Sequence, residues 1–162
     1  MSIVENKAIV RRFLEGIFSQ GNPDVVDELA DPDFVVHDPS SEAGQVDAEG
    51  VKESIAWSHS AFPDLRVTIE DQVAEGDKVA TRWRVRGTHQ GEMMGVSATG
   101  KQVAFTGTQT DYISGGKIVE SWSNWDTLGM LHRIGAVPAT ERQAGSRTTR
   151  GTAVPYVLGQ GQ

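Results

Sequence analysis

The stretch from residue 65 to 85, LRVTIEDQVAEGDKVATRWRV, decides the fold class of this chain. Apolar and polar residues alternate along both of its halves, which is the period of a β-strand that buries one face. The segment EGDK at 75–78 separates the halves and has the composition of a hairpin turn. The second half places Val79, Trp83 and Val85 on one face, so we predict an antiparallel hairpin against a core. Three arginines share the opposite face, where we expect acids or a subunit interface to meet them: Arg82, Arg84 and Arg86.

The segments before this hairpin have helical rather than alternating periodicity. Residues 3–19 predict a first helix, and GNPD at 21–24 ends it and caps a short second helix. A short strand is expected at 34–38, followed by a polar loop at 40–50. A third helix runs from there to about residue 62, where Pro63 ends it.

Two further strands and a short helix are predicted after the hairpin. A Gly-rich connection at 87–101 leads to strands at 103–113 and 118–124, and the helix covers 126–134. About three helices gathered on one face of a curved antiparallel sheet predict an α+β cone with an internal cavity, a natural small-molecule site. We place the domain at residues 1–137 and a tail at 138–162, which is flexible or docks on a partner subunit.

Composition narrows the classes of function. The 15 basic and 22 acidic residues leave a net charge of −7, which disfavours nucleic acid and anionic membrane surfaces as partners. The absence of cysteine excludes disulfides, thiolate nucleophiles and Cys-ligated metals, and the four histidines lack metal-ligand spacing. The N-terminus has the pattern of neither a signal peptide nor a membrane span, so we expect a cytoplasmic protein.

Seven stretches carry a resemblance to a known family, in the order that the family has them. They are VVHDP (35–39), AFPDLRVTIED (61–71), EGDKVATRW (75–83), GTHQGEMMG (87–95), TGK (99–101), GGKIVESWSNWD (115–126) and LGMLHRIG (128–135). On these stretches, about residues 5–137 resemble the SnoaL-like polyketide cyclases, or ester cyclases, of the NTF2-like superfamily.

The resemblance implies a cone fold, a homo-oligomer such as a dimer or tetramer, and a small hydrophobic substrate that includes polycyclic compounds. It implies ring closure of a polyketide ester by intramolecular aldol condensation, with no metal and no organic cofactor. The family's acid/base aspartate on the last strand matches Asp126. Relatives that form pyran rings, open epoxides or hydroxylate remain alternatives, as does a non-catalytic binding or assembly module.

Two interpretations of Asp126 stay open on the residues alone. Strand parity predicts that one face of the last strand carries Ile118, Glu120, Trp122 and Asn124. Asp126 would lie next on the same face. Tryptophan neighbours would then raise the pKa of its carboxyl by desolvation, as a general base requires. Aspartate is also a favoured N-cap, and DTLG opens a helical pattern. The two roles are compatible with each other.

Two histidines are further candidates for catalysis. His37 ends a short strand, where it would bind a substrate oxygen or relay a proton. His89 lies at the end of the Trp83 strand, where the mouth of a cone is expected. Each histidine has an alternative interpretation, as a partly buried side chain bonded to a backbone carbonyl or as part of close backbone packing.

A polar pair lies on an otherwise apolar strand face. Gln109 and Asp111 alternate with Val103 and Phe105, which predicts either pocket chemistry or a satisfied core network. Asp111 together with Asp38 would form the carboxylate pair expected of a pyran-forming or epoxide-opening relative.

Aromatic residues and one amide complete the predicted substrate-binding set. Trp57, Phe62, Trp83 and Trp122 would line a flat aromatic cavity, although most aromatics at such spacing belong to the core. Asn124, like the two histidines and Gln109, is a candidate to orient substrate or to stabilise an enolate oxygen.

Overall fold

The computed structural model of this chain describes residues 1–138, so almost the whole predicted tail lies outside the described residues. Six strands form one curved mixed sheet in the order β2-β1-β6-β5-β4-β3. The strands are β1 (Ala30–His37), β2 (Gln45–Asp47), β3 (Arg66–Glu75), β4 (Lys78–Thr88), β5 (Gln102–Ser114) and β6 (Lys117–Trp125). The helices are α1 (Ile3–Leu14), α2 (Asp24–Leu29), α3 (Ala48–Ala61) and α4 (Thr127–Ile134).

The predicted hairpin is confirmed by the pairing of β3 with β4. Val67 faces Val85 and Ile69 faces Trp83, while Glu75 faces Lys78 across the turn. Residues 79, 81, 83 and 85 are buried, and the arginines between them are exposed, as the alternation predicts. Glu70 accepts from Arg82 (3.1 Å) and Arg84 (3.0 Å), so acids do meet part of the arginine stripe.

The helix predicted at 3–19 divides in two. A capping box of Ser2 and Glu5 starts α1, which ends at Leu14 and continues as a π-helical segment, Glu15–Gln20. Gly16 of this segment packs on Val25 of α2, where an added Cβ would lie 2.8 Å from the Val25 Cγ2 atom. The absence of a side chain at this point lets the first two helices approach closely.

The prediction of a wholly antiparallel sheet is wrong at one strand pair. β1 lies parallel to β6, with Val36 opposite Ser121 and His37 opposite Trp122. The segment predicted as a polar loop at 40–50 contains β2, which pairs antiparallel with β1. Alternation shows which face of a strand is buried but not which strand lies beside it, so neither pairing was visible in the sequence.

The core lies between the helices and the inner face of the sheet. α1 packs against β3, β4 and β6, and α3 packs against β1 and β2. Phe13 and Phe34 meet edge to face at 5.7 Å, and both are buried together with Ile55 and Phe62. The inner face is therefore the side on which a cone-shaped interior would hold a ligand.

Candidate functional site

Strand register aligns the inner-face residues of β3 to β6 into rows across the sheet. Gln72 faces Thr81, Thr81 faces Gln109, and Gln109 faces Ser123. This row is polar from one strand to the next, and the Gln72 Nε2 atom donates to the Thr81 Oγ1 atom (3.2 Å). A polar row on the core side of a sheet is unusual enough to mark a site.

The neighbouring row contains a buried acid, Asp111. It lies between Val79 on β4 and Ser121 on β6. Its Oδ1 atom accepts from the Ser121 Oγ atom (2.5 Å) and from the Gln109 Nε2 atom (2.7 Å). Its Oδ2 atom is buried and has no partner among the described residues.

Burial sets the protonation behaviour of this acid. Desolvation raises the pKa of Asp111 to about 6, against the opposing effect of the bonds from Ser121 and Gln109. Such a carboxyl is ionised at neutral pH yet easily protonated, which suits a group that takes and returns a proton. Of the sequence-predicted residues, the structure brings Gln109 and Asp111 together, on the predicted face.

On the other side of the polar row lies an aromatic row. Trp83 faces Gly107, and Gly107 faces Trp125. The Trp83 ring occupies the space above Gly107, where an added Cβ would lie 2.3 Å from the Cζ2 atom. Phe18 and Phe105 flank this ring at centroid distances of 5.2 and 6.3 Å.

His89 is fully buried at the end of β4 beside Phe62, with ring centroids 5.5 Å apart. The backbone N–H of Thr99 donates to its Nδ1 atom (3.3 Å), and the Thr99 Oγ1 atom lies 2.9 Å from the same nitrogen. A neutral ring that accepts at Nδ1 carries its proton on Nε2. That Nε2 atom is buried and has no partner within residues 1–138, so His89 offers an unused donor.

Asp126 lies at the surface and caps α4. Its Oδ1 atom accepts from the backbone N–H of Gly129 (2.9 Å), and its Oδ2 atom lies 3.7 Å from the Arg133 Nη1 atom. Its side chain is 46% exposed. With Asn124 it lines an open groove of about 440 Å³. The N-cap interpretation of Asp126 is thus confirmed, and its catalytic role stays a prediction.

His37 forms a separate cluster at the outer face of the sheet. Its Nε2 atom lies 2.6 Å from the Glu120 Oε1 atom, and its Nδ1 atom lies 3.3 Å from the Gln45 Nε2 atom. The ring stacks on Trp122 at 5.1 Å. The structure does not bring His37 into the row of Asp111.

The predicted assignment of residues to the faces of the last strand is wrong from Glu120 onward. Val119 is an extra residue on β6, because Ile113 pairs with Ile118 while Tyr112 pairs with Glu120. This bulge leaves Ile118 on the inner face but moves Glu120, Trp122 and Asn124 to the outer face. The inner positions belong instead to Ser121, Ser123 and Trp125.

Comparisons with known proteins agree with this architecture. The family model of the SnoaL-like polyketide cyclases matches residues 8–134. The chain belongs to this family. The predicted family and its NTF2-like cone fold are therefore confirmed.

Three solved structures illustrate the range of similar family members. AclR, a candidate hydroxylase from Streptomyces galilaeus, is 28% identical with a TM-score of 0.78, over 87% of each chain. A candidate polyketide cyclase from Acidithiobacillus ferrooxidans is 31% identical with a TM-score of 0.74, over 84% of this chain and 99% of that one. IdmH, a candidate polyketide cyclase from Streptomyces antibioticus, is 34% identical with a TM-score of 0.71, over 80% and 98%. No curated protein sequence matches the chain.

The SnoaL-like interior contains only part of the predicted aromatic set. Phe62 and Trp83 are buried, whereas Trp57 and Trp122 are 43% and 41% exposed. Trp57 and Trp122 therefore do not share the buried surroundings of Phe62 and Trp83, and the substrate-binding role of the four side chains stays a prediction. Phe105 and Trp125 take part in the aromatic row instead.

The predicted carboxylate pair does not form a bonded unit. The Asp38 Oδ1 atom accepts from the backbone N–H (2.8 Å) and Oγ atom (2.6 Å) of Ser40, in the turn after β1. Asp111 is bonded to other residues on β5 and β6. Each carboxyl thus has its own partners.

Sequence reasoning missed Ser121 and Ser123, which complete the two inner rows. Their alternation with Trp122 and Asn124 is visible in the sequence, but the bulge that decides their face is not. It also missed Gly107, although a glycine inside a strand pattern indicates close approach of another group.

Several predictions remain untested by the part of the chain that the structure describes. The grooves found there are open and measure about 300 to 520 Å³, so an internal cavity stays a prediction. The homo-oligomer, the absence of cofactors and the cytoplasmic location also stay predictions. No helix within residues 1–138 is long and apolar enough to cross a membrane, and no group of three potential ligands there could hold a metal.

Proposed function

We propose that this protein is an enzyme that closes a ring in a polyketide-like carbonyl compound by aldol-type acid/base chemistry, with Asp111 moving the proton. The observation that carries this proposal is the buried Asp111 carboxyl, which has one oxygen bonded and one oxygen without a partner among the described residues. Membership of a polyketide cyclase family supports the reaction class.

The chemistry follows from what an aldol closure needs. The ionised Asp111 takes a proton from a carbon next to a carbonyl, and the resulting enolate carbon attacks a second carbonyl carbon of the same molecule. The new C–C bond leaves an alkoxide, which receives the proton back from the Asp111 carboxyl. Atoms and charge balance within the substrate and this one side chain. A pKa of about 6 lets the same group do both steps near neutral pH.

The residues around Asp111 are placed so that they support this role. Ser121 and Gln109 both donate to the Oδ1 atom, which leaves the Oδ2 atom as the one that can meet a substrate proton. His89 offers an unused Nε2–H donor, which suits a developing enolate oxygen. The aromatic row supplies apolar surface for the body of the substrate.

Asp126 is the competing candidate, because the family resemblance assigns it the acid/base role. Its Oδ1 atom already caps α4, and its side chain is open to solvent. Burial and an Oδ2 atom without a partner within residues 1–138 support Asp111, whereas Asp126 lines an open groove, and a paired experiment separates the two.

The experiment compares Asp111→Asn with Asp126→Asn, using a panel of aromatic polyketide esters. We expect Asp111→Asn to lose turnover while it retains ligand-dependent thermal protection, and Asp126→Asn to retain both. Turnover that persists in Asp111→Asn and disappears in Asp126→Asn would transfer the role to Asp126. An absence of both turnover and protection in the wild-type protein would overturn the enzyme proposal in favour of an assembly module.

A further inference from the structure

Four buried side-chain atoms have no hydrogen-bond partner within residues 1–138. They are Asn6 Oδ1, Trp83 Nε1, His89 Nε2 and Asp111 Oδ2. The acid and the histidine already have a use in the proposed reaction. The N–H group of Trp83 has none there, although Trp83 is 2% exposed and lies in the aromatic row beside the polar row.

The position of the Trp83 ring requires a glycine on the facing strand. Gly107 on the facing strand leaves the space that the indole occupies, and any larger residue would collide with the ring. Phe18 and Phe105 flank the indole. The ring is thus held in one place, while its N–H group has no acceptor in the part of the chain that the structure describes.

Trp125 shows how the same group is satisfied elsewhere in this fold. Its Nε1 atom donates to the Ser40 Oγ atom (2.9 Å). A buried donor without a partner is destabilising, so an indole N–H that residues 1–138 leave unpaired indicates an acceptor that is not among them. The two tryptophans of one row therefore form a matched pair within the described residues, one with a bonded N–H group and one without.

The position of Trp83 relative to Asp111 sets the size of such a ligand. Gly107, opposite Trp83, is four residues from Asp111 along β5, which is about 14 Å of strand at about 3.4 Å per residue. Thr81 and Gln109 lie between the two positions. A molecule that reaches both points is elongated, with its apolar body against the aromatic row.

We infer that Trp83 is a specificity-determining residue, whose Nε1–H donates to a carbonyl oxygen on the aromatic part of an elongated keto-aromatic ligand. The placement of the ligand's reacting end at Asp111 rests on the proposed function, whereas recognition of the oxygen by Trp83 does not. The protein then discriminates against a hydrocarbon of the same shape, because such a ligand leaves the indole donor buried and unpaired.

The test uses 1-tetralone and tetralin, which share a bicyclic skeleton and differ in one carbonyl group. Indole N–H cross-peaks of the ¹⁵N-labelled full chain are followed by NMR during titration with each probe. Substitution of the other tryptophans by Phe, one at a time, assigns the Trp83 peak by elimination, so the wild-type titration does not depend on Trp83→Phe folding. We expect 1-tetralone to move the Trp83 indole proton downfield and tetralin to leave it nearly unchanged.

Matched variants then measure the discrimination. We expect the wild-type protein to prefer 1-tetralone over tetralin by about 3- to 10-fold, the worth of one neutral hydrogen bond. Trp83→Phe should abolish this preference, and Trp125→Phe should keep it because its N–H is already bonded to Ser40. Equal perturbation by both probes, binding by neither, or a preference that survives Trp83→Phe would overturn the inference.

The same titration in Asp111→Asn distinguishes failure of this inference from failure of the proposed function. A ketone preference that persists while Asp111→Asn turns over substrate normally would refute only the role of Asp111. Loss of the preference in Trp83→Phe, together with loss of turnover in Asp111→Asn, supports both proposals. A wild-type protein with turnover but no ketone preference would refute only the role of Trp83.

Discussion

Replacing Asp111 by Asn should change the pH dependence of stability in a defined direction. Burial raises the pKa of this carboxyl from 3.8 to about 6, so the folded state binds this proton more tightly than the unfolded chain does. The free energy of unfolding is unaffected by this carboxyl below its unfolded pKa of 3.8. It decreases as the pH rises from there through the folded pKa of about 6. The Asp111→Asn variant carries no ionisable group at this position and escapes that loss.

The magnitude follows from the two pKa values. One pKa unit corresponds to about 1.4 kcal/mol, so the rise from 3.8 to about 6 costs the folded wild-type protein about 3 kcal/mol at pH 8. By pH 5 roughly half of this cost is already present, because the unfolded chain is mostly ionised there. The free energy of unfolding of Asp111→Asn, relative to wild type, should therefore increase by about 1 to 2 kcal/mol from pH 5 to pH 8.

Urea denaturation of both proteins at several pH values measures this difference. Any constant effect of the amide, such as its own unpaired N–H group, shifts the whole curve and leaves the pH dependence intact. A difference between the two proteins that stays constant from pH 5 to 8, or decreases, would refute the argument that burial controls Asp111.

Three further predictions concern a close contact, a helix cap and a hydrogen-bonded side-chain pair, and chemical denaturation measures each of them. Gly107→Ala should lower the free energy of unfolding by about 1 to 3 kcal/mol, because its methyl group collides with Trp83, and an unchanged midpoint would contradict the close approach. Asp126→Ala should cost about 1 kcal/mol and Asp126→Asn much less, since Asn still caps; equal losses would argue against the cap. A double-mutant cycle of His37→Ala and Glu120→Ala should show a coupling of about 0.5 to 1 kcal/mol, and additive losses would mean no interaction.

The sequence predicted the local features of the fold well. Alternation assigned the buried face of β4 and placed Gln109 and Asp111 on the inner face of β5. The N-cap at Asp126 was visible from residue type and position. Each of these features depends on residues close together in the chain, so one segment contains the information that decides it.

The candidate site was less predictable because it depends on how the strands meet. The extra residue Val119 reverses the faces of the rest of β6, which exchanges Trp122 and Asn124 for Ser121 and Ser123 on the inner face. No local pattern marks Val119, since a bulge is a mismatch between two paired strands. The exchange moved the predicted binding residues Trp122 and Asn124 away from the inner face. It placed Ser121 beside Asp111 instead.

The sequence by itself determined most of the element types, the buried face of β4 and the family, because periodicity, caps and motifs act over a few neighbouring residues. Only the tertiary structure decided that β1 lies parallel to β6, that His37 joins Glu120 on the outside, and that one oxygen of Asp111 has no partner within residues 1–138. These facts depend on strands far apart in the chain. A shift of one residue between such strands turns a buried side chain into an exposed one, at no change in sequence.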